Sequence, residues 1–282
     1  MNDKGLGGLT LKGHVALITG AGRGLGRAFS LGLAGAGVRV AVVARSADQI
    51  AETVRLIQAA GGTAIAIRAD VTDPPAVQQM ALEVRRSLGP IDLLVNNAGA
   101  GGPFGPAWEV DGEQWWRNFE TNMRAPFLCC REVLPDMIAR GRGRIINVAS
   151  GAGTLAIPYM SAYVSSKTAL IRFTETVAAE AGASGVSLFS IQPGTVRTAM
   201  AQELLDSPEG TRWLPWFQKI FDEGGDVTAD PATSLVLFLA SGKADELSGR
   251  FFTVPENPAQ VIERAAEVKR DDLYALRMRR LS

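Results

Sequence analysis

The feature that most limits how this chain can fold is an alternation. Short apolar runs at 14–19, 38–44, 63–68, 91–95, 144–149, 186–192 and 249–254 are separated by segments of helical periodicity at 25–36, 46–60, 74–88, 112–139, 158–182 and 230–240. The runs are apolar without a polar alternate, so each is expected to be a strand buried on both faces. Strands that alternate with helices imply parallel βαβ units. Seven strands in one alternation predict a single α/β domain over residues 1–254, a doubly wound, mostly parallel seven-stranded sheet with helices on both faces.

Two stretches interrupt the rhythm. Residues 195–229 separate a strand from a helix and carry Trp213, Trp216, Phe217 and Phe221, the mark of a lid. Residues 255–282 form an amphipathic extension of the same domain, with Val261, Ile262, Ala265, Val268, Leu273, Leu276 and Met278 at roughly helical spacing. Its apolar stripe is expected to pack on the lid or on a neighbouring subunit.

Composition removes several function classes. Lys plus Arg is 29 and Asp plus Glu is 29, so no net charge invites nucleic acid or an anionic membrane. His14 is the only histidine, and Cys129 and Cys130 are the only cysteines. No metal site of several His and Cys ligands can be built from them, and a Ser-His-Asp mechanism would have to use His14. Two adjacent cysteines suit a reducing, cytoplasmic setting. No apolar run reaches the ~18 residues of a membrane span, and the polar, glycine-rich stretch 1–13 does not read as a signal peptide.

The chemistry begins at Thr19-Gly-Ala-Gly-Arg-Gly-Leu-Gly26, between the first strand and the first helix. Glycines there permit a tight turn and close approach of a phosphate. The helix start adds free N–H groups and the positive end of its dipole. Gly20, Arg23, Gly24, Leu25 and Gly26 are therefore candidate dinucleotide contacts. An acid at the end of the second strand would hold the adenosine ribose and repel a 2′-phosphate. Here Ala44 stands in that place, followed by Arg45. Two guanidiniums, Arg23 and Arg45, favour NADP(H).

Further segments are Asp70-Val71, Asn96-Asn-Ala-Gly99, Ser150, Tyr163-Val-Ser-Ser-Lys167 and Pro193-Gly-Thr-Val-Arg-Thr198. With the glycine loop, and in this order, they resemble the short-chain dehydrogenase/reductase superfamily over about residues 12–254. The resemblance implies a Rossmann-type fold and an oxidoreductase. It implies that Asp70 and Val71 sit by the adenine and that Asn97, Ala98 and Gly99 line the cofactor after the fourth strand. It also implies that Pro193, Gly194, Val196 and Thr198 meet its nicotinamide and pyrophosphate end.

The catalytic set implied is Asn122, Ser150, Tyr163 and Lys167. Tyr163 and Lys167, four apart, share a helix face. A free tyrosine has a pKa of about 10. A nearby ammonium and a positively charged nicotinamide are expected to lower it. Tyr163 would then give a proton to a carbonyl oxygen or take one from a hydroxyl. Ser150 would steady the developing alkoxide, and Lys167 would also hold the ribose. Pro126 denies the Asn122 carbonyl its helical partner, so a bend is expected there. The resemblance implies a water relay from that asparagine to the lysine.

The expected activity is interconversion of a ketone and a secondary alcohol with NADP(H). The substrate would be small and largely apolar or aromatic, covered by the lid and faced by Trp108, Trp115 and Trp116. Family relatives imply a homodimer or homotetramer paired through the helices of Asn122 and Tyr163. Three alternatives stand beside this: a 3-oxoacyl-thioester (acyl-carrier) reductase, an isomerase or epimerase with retained cofactor, and a non-catalytic cofactor-sensing protein. The acyl-carrier alternative is weakened by Ser184 before Gly185, where such relatives tend to carry a base, although Arg140, Arg142 and Arg144 lie nearby in sequence. The chain also departs from the family at Phe189, often Asn, and at Thr253-Val-Pro-Glu256, where Asp-Gly-Gly is common.

Overall fold

A computed structural model describes residues 11–278. Most of the N-terminal stretch, and residues 279–282 of the tail, lie outside the described residues. The strands are β1 (Val15–Thr19), β2 (Arg39–Ala44), β3 (Thr63–Arg68), β4 (Leu93–Asn96), β5 (Gly143–Val148), β6 (Val186–Gln192) and β7 (Phe251–Thr253). They form one sheet in the order β3-β2-β1-β4-β5-β6-β7, and every pairing is parallel.

Burial on both faces follows from the strand sequences. In β1, Ala16 and Ile18 face one layer while Val15 and Leu17 face the other, and all five residues are buried. The first layer includes Phe29 and Leu33 from α1 (Gly24–Gly35) and Leu235, Val236 and Leu239 from α10 (Asp230–Ala240). The second includes Val77 and Met80 from α3 (Pro74–Ser87) and Cys129, Val133 and Met137 from α5 (Ala125–Ala139). Each fully buried Val, Leu or Ile contributes about 1.5–3 kcal/mol. Phe189 belongs to the first layer, edge-on to Phe252 at 5.9 Å, so the departure from Asn is a packing choice.

The 112–139 segment is not one regular helix. It divides into α4 (Gly112–Phe119), a π-helical turn at Glu120–Arg124 and α5. The expected response to Pro126 is therefore a widened turn, in which the Ala125 N–H reaches back five residues to the Glu120 carbonyl. Asn122 sits in that turn. Tyr163 and Lys167 ride on α6 (Ser161–Ala181), and α2 (Ala47–Ala59) completes the first layer.

Residues 195–229 hold three short helices, α7 (Ala199–Leu205), α8 (Pro208–Trp213) and α9 (Pro215–Asp222). Two more, α11 (Pro258–Glu263) and α12 (Ala265–Arg270), begin the tail. The tail's stripe does not pack on residues 195–229. Val261, Ala265 and Val268 join the chain's own first layer, while Leu273 and Met278 stay exposed. Beyond α12 the chain covers β7: the Phe251 N–H donates to the Tyr274 carbonyl at 2.9 Å, and Tyr274 stacks on Phe252.

Candidate active site

In this strand order the connections from β1 and β4 leave in opposite directions, and ligands of open α/β sheets bind at such a reversal, beyond the strand carboxyl ends. A cleft of about 450 Å³ lies there. One end is lined by Ala44, Arg45, Asp70 and Val71, the middle by Gly20, Arg23, Gly24, Leu25, Ala98 and Gly99, and the other end by Tyr163, Lys167, Pro193 and Thr198.

The glycine loop has the backbone that a phosphate site requires. Gly20 and Gly24 have φ of +63° and +55°, and a Cβ on Gly20 would lie 2.8 Å from the Ala98 Cα. A Cβ on Gly26 would collide with the Gly20 carbonyl, so Gly26 serves the turn itself and does not line the cleft. The first turn of α1 carries no acidic residue, leaving its dipole free for an anion. These features fit a dinucleotide.

At the far end, Arg45 lines the cleft, while Arg23 is engaged by Glu203 of α7 at 3.0 Å, both side chains largely exposed. Burial pushes the Asp70 carboxyl up, but the Thr72 N–H and hydroxyl and the Arg45 charge outweigh it and hold it low. Asn97 lines the cleft, yet its amide is spent on the Thr19 and Gly20 carbonyls at 3.0 and 3.2 Å, tying the glycine loop to β4. Gly194 and Val196 do not line it. Gly194, at φ +80°, would press a Cβ on Val227, and Val196 pairs with Val227.

The four candidate catalytic residues come together from three places: the π-helical turn, the end of β5 and α6. The Lys167 Nζ donates to the Val148 carbonyl at 2.9 Å and lies 5.6 Å from the Tyr163 ring centre. A Cβ on Gly99 would lie 3.3 Å from Asn122 Oδ1 and 3.7 Å from Lys167 Nζ. Ser150 follows β5, accepts the Ala152 N–H and hydrogen-bonds Tyr163. Burial pushes the Tyr163 hydroxyl up, opposed by Ser150, and pushes Lys167 from the ordinary 10.5 down to about 8. The expected lowering of Tyr163 by the ammonium is not found. Desolvation disfavours both charged forms, and the lysine's proton is directed at Val148. The tyrosine hydroxyl thus keeps its proton at neutral pH.

A second cleft, about 520 Å³, adjoins the first through Met200. Gly101, Gly102, Phe104 and Val110 line one side and Leu204 and Trp213 the other, with Glu109, Asp111, Glu203, Glu209 and Arg212 among the polar lining. Among Trp213, Trp216, Phe217 and Phe221 only Trp213 lines it. Phe221 is buried beneath Arg197, Phe217 packs with Leu204 and Leu214, and Trp216 is exposed. Trp108, Trp115 and Trp116 do not form the facing wall. Trp108 is 83% exposed, Trp115 donates to Ser161, and Trp116 stacks on Phe119.

Several residues are remote from the clefts. His14 precedes β1 at the opposite end of the sheet, near Asp92, so no serine triad forms with it; burial lowers its pKa. Arg140, Arg142 and Arg144 also stand at that end, paired with Asp92, Asp136 and Asp245. No cluster of His, Cys, Asp and Glu among the described residues could hold a metal.

Residues 14–209 match the family model for short chain dehydrogenases. The chain belongs to the short-chain dehydrogenase/reductase family. A short chain dehydrogenase of Monascus ruber, pigC, is 35% identical over 270 residues, covering 93% of this chain and 85% of that one. A 3-oxoacyl-[acyl-carrier-protein] reductase of Staphylococcus epidermidis is 34% identical over 236 residues, covering 83% and 94%. A crystal structure of a variant actinorhodin polyketide ketoreductase with NADPH superposes with a TM-score of 0.81 at 29% identity, covering 87% and 97%.

This short-chain dehydrogenase also contains a layer that sequence reading did not single out. Asn118 and Ser166 join Asn122 in a buried hydrogen-bond group, and Glu203 holds Arg23. Asn118 lies four residues before Asn122, the spacing of one helix face, and that was its only sequence signal. Glu203 is 180 residues from Arg23 and had none.

Proposed function

We propose that this oxidoreductase interconverts a ketone and a secondary alcohol with NADP(H), Tyr163 serving as proton donor and acceptor. The observation that carries the reading is the pairing of cleft ends: Ser150, Tyr163 and Lys167 converge at one end, and Arg45 with Ala44 marks the other. NADPH, when bound, supplies the hydride. The chain's own groups do the rest. Arg23 and Arg45 bind the 2′-phosphate, and the start of α1 binds the pyrophosphate. Tyr163, held protonated by burial, donates to the carbonyl oxygen, and Ser150 steadies the developing charge. Lys167, held on the Val148 carbonyl, orients the ribose. Asn122 connects the lysine to a water relay.

The substrate enters the second cleft, between the Gly101–Phe104 segment and Trp213. A small, largely apolar or aromatic ketone fits its walls, while an acidic rim disfavours anions. The likeness to the Staphylococcus epidermidis reductase favours a 3-oxoacyl-thioester as the second reading. Against it, Arg140, Arg142 and Arg144 are paired and lie at the end of the sheet away from the cleft. The cofactor-sensor reading leaves the convergence on Tyr163 unused. A retained-cofactor isomerase would give no net change in NADPH.

We also infer a homodimer or homotetramer, supported by Trp116 and Phe127, 55% and 43% exposed on the α4–α5 face. A cytoplasmic setting accords with two buried, unpaired cysteines. No helix among the described residues is long and apolar enough to cross a membrane.

The test is NADPH oxidation over a panel of ketones, quinones, sugars and acyl thioesters, repeated with Tyr163→Phe. The variant should lose about 100-fold or more in turnover and keep NADPH binding. Near-normal turnover by the variant on the best substrate would overturn the mechanism.

A further inference from the structure

The last turn of α4 holds an asparagine that neither cleft exposes. Asn118 is 2% exposed and lines neither cavity. Its Nδ2 faces three consecutive carbonyls, Ala100 at 3.0 Å, Gly101 at 3.1 Å and Gly102 at 2.7 Å. Two amide protons serve three acceptors, so at least one is shared. Its Oδ1 accepts from Asn122 Nδ2 at 2.9 Å, with the Ser166 hydroxyl at 3.2 Å. Asn122 in turn grips both ends of the Ala100 residue: Nδ2 donates to its carbonyl at 2.9 Å, and Oδ1 accepts its N–H at 2.8 Å.

The segment so held is the wall of the second cleft. Gly101 and Gly102 line that cleft, and a Cβ on Gly101 would lie 3.3 Å from the Phe104 ring and 3.5 Å from Met200. A glycine-rich segment has little stiffness of its own. Its free carbonyls would seek water, and the nearest open space is the cleft. Satisfied on the buried side, they leave glycine CH faces and the Phe104 ring toward the substrate.

We propose that Asn118 is a positioning residue that sets substrate choice. By collecting the 100–102 carbonyls it keeps three acceptors out of the cleft, fixes an apolar wall opposite Met200 and Trp213, and locks that wall to Asn122. The inference rests on the reading of the second cleft as the substrate cleft.

Asn118→Leu keeps the size and removes both donors; Asn118→Asp keeps the shape and an acceptor and turns charge against the carbonyls. Amide exchange in the ligand-free protein should accelerate at least tenfold over residues 99–105 and stay unchanged over 14–26. With NADPH, the kcat/KM ratio for 1-tetralone over hydroxyacetone should fall at least fivefold, through KM, with the KM for NADPH within twofold. Unchanged exchange at 99–105, or an equal loss on both ketones through kcat, would overturn the proposal. A wild-type protein that reduces no ketone would sink the oxidoreductase reading instead, and the exchange measurement alone would then decide on the clamp.

Discussion

Lys167→Met probes the electrostatics of the site without any substrate. Burial lowers the lysine from the ordinary 10.5 to about 8, so between those values the folded protein binds fewer protons than the unfolded chain. Wild-type stability should therefore rise with pH across that window. Below about 8 both states carry the ammonium, and the burial penalty is present in full. At about 1.4 kcal/mol for each pH unit, the window is worth about 3 kcal/mol. Methionine fills similar space and cannot titrate. It also cannot donate to the Val148 carbonyl, which Lys167 reaches at 2.9 Å, and an unsatisfied buried carbonyl costs about 1–3 kcal/mol. At pH 7 the two effects oppose, and the variant should equal the wild type or exceed it by up to about 2 kcal/mol. By pH 10.5 it should be the less stable by about 1–3 kcal/mol. The raised Tyr163 contributes stability that is lost above pH 10, but it does so in both proteins and cancels in the difference. Urea unfolding of the ligand-free proteins at half-unit steps from pH 7 to 10.5 measures this. Parallel stability curves would refute the claim that the ammonium is buried at a penalty.

Arg45→Ala should weaken NADPH binding about tenfold or more and spare NADH, since a charge-assisted contact is worth about 1.5–3 kcal/mol; equal losses in a fluorescence titration would remove the 2′-phosphate assignment. Glu203→Gln should tighten NADPH about 1.5–5-fold by releasing Arg23 from an exposed pair worth about 0.2–1 kcal/mol; no change at low salt would mean that Glu203 does not compete with the phosphate. Proteolytic nicking within 200–224 should slow when NADPH and a reducible ketone are added; an unchanged rate would make the segment fixed structure and not a moving lid.

The architecture was legible because its signals are local. Buried parallel strands need continuous apolar runs, and helix starts need glycine, proline or a cap, so the order of elements could be read along the chain. The same holds for residues of the first cleft: Gly20, Gly24, Asn97, Gly99, Tyr163 and Lys167 lie at or near element ends that the alternation itself locates. Pro126 announced a disturbance at Asn122, though not that a π-helical turn would absorb it.

What tertiary structure alone decided concerns groups distant in sequence and the solvent each one retains. Trp213, on α8, reached the cleft, while on α9 Phe221 was buried and Trp216 exposed, because the packing of these two short helices decides which of their faces turns inward. The tail's apolar stripe found cover on the chain's own sheet layer and not on residues 195–229. Tyr163 rose instead of falling because its environment, not its spacing from Lys167, sets the desolvation. Asn118 shows the same limit. A sequence displays an amide with two donors, but only the folded chain brings three carbonyls to meet it. Periodicity and backbone geometry act between near neighbours and are written in order along the chain; burial and hydrogen-bond partnership depend on every element packed around a group.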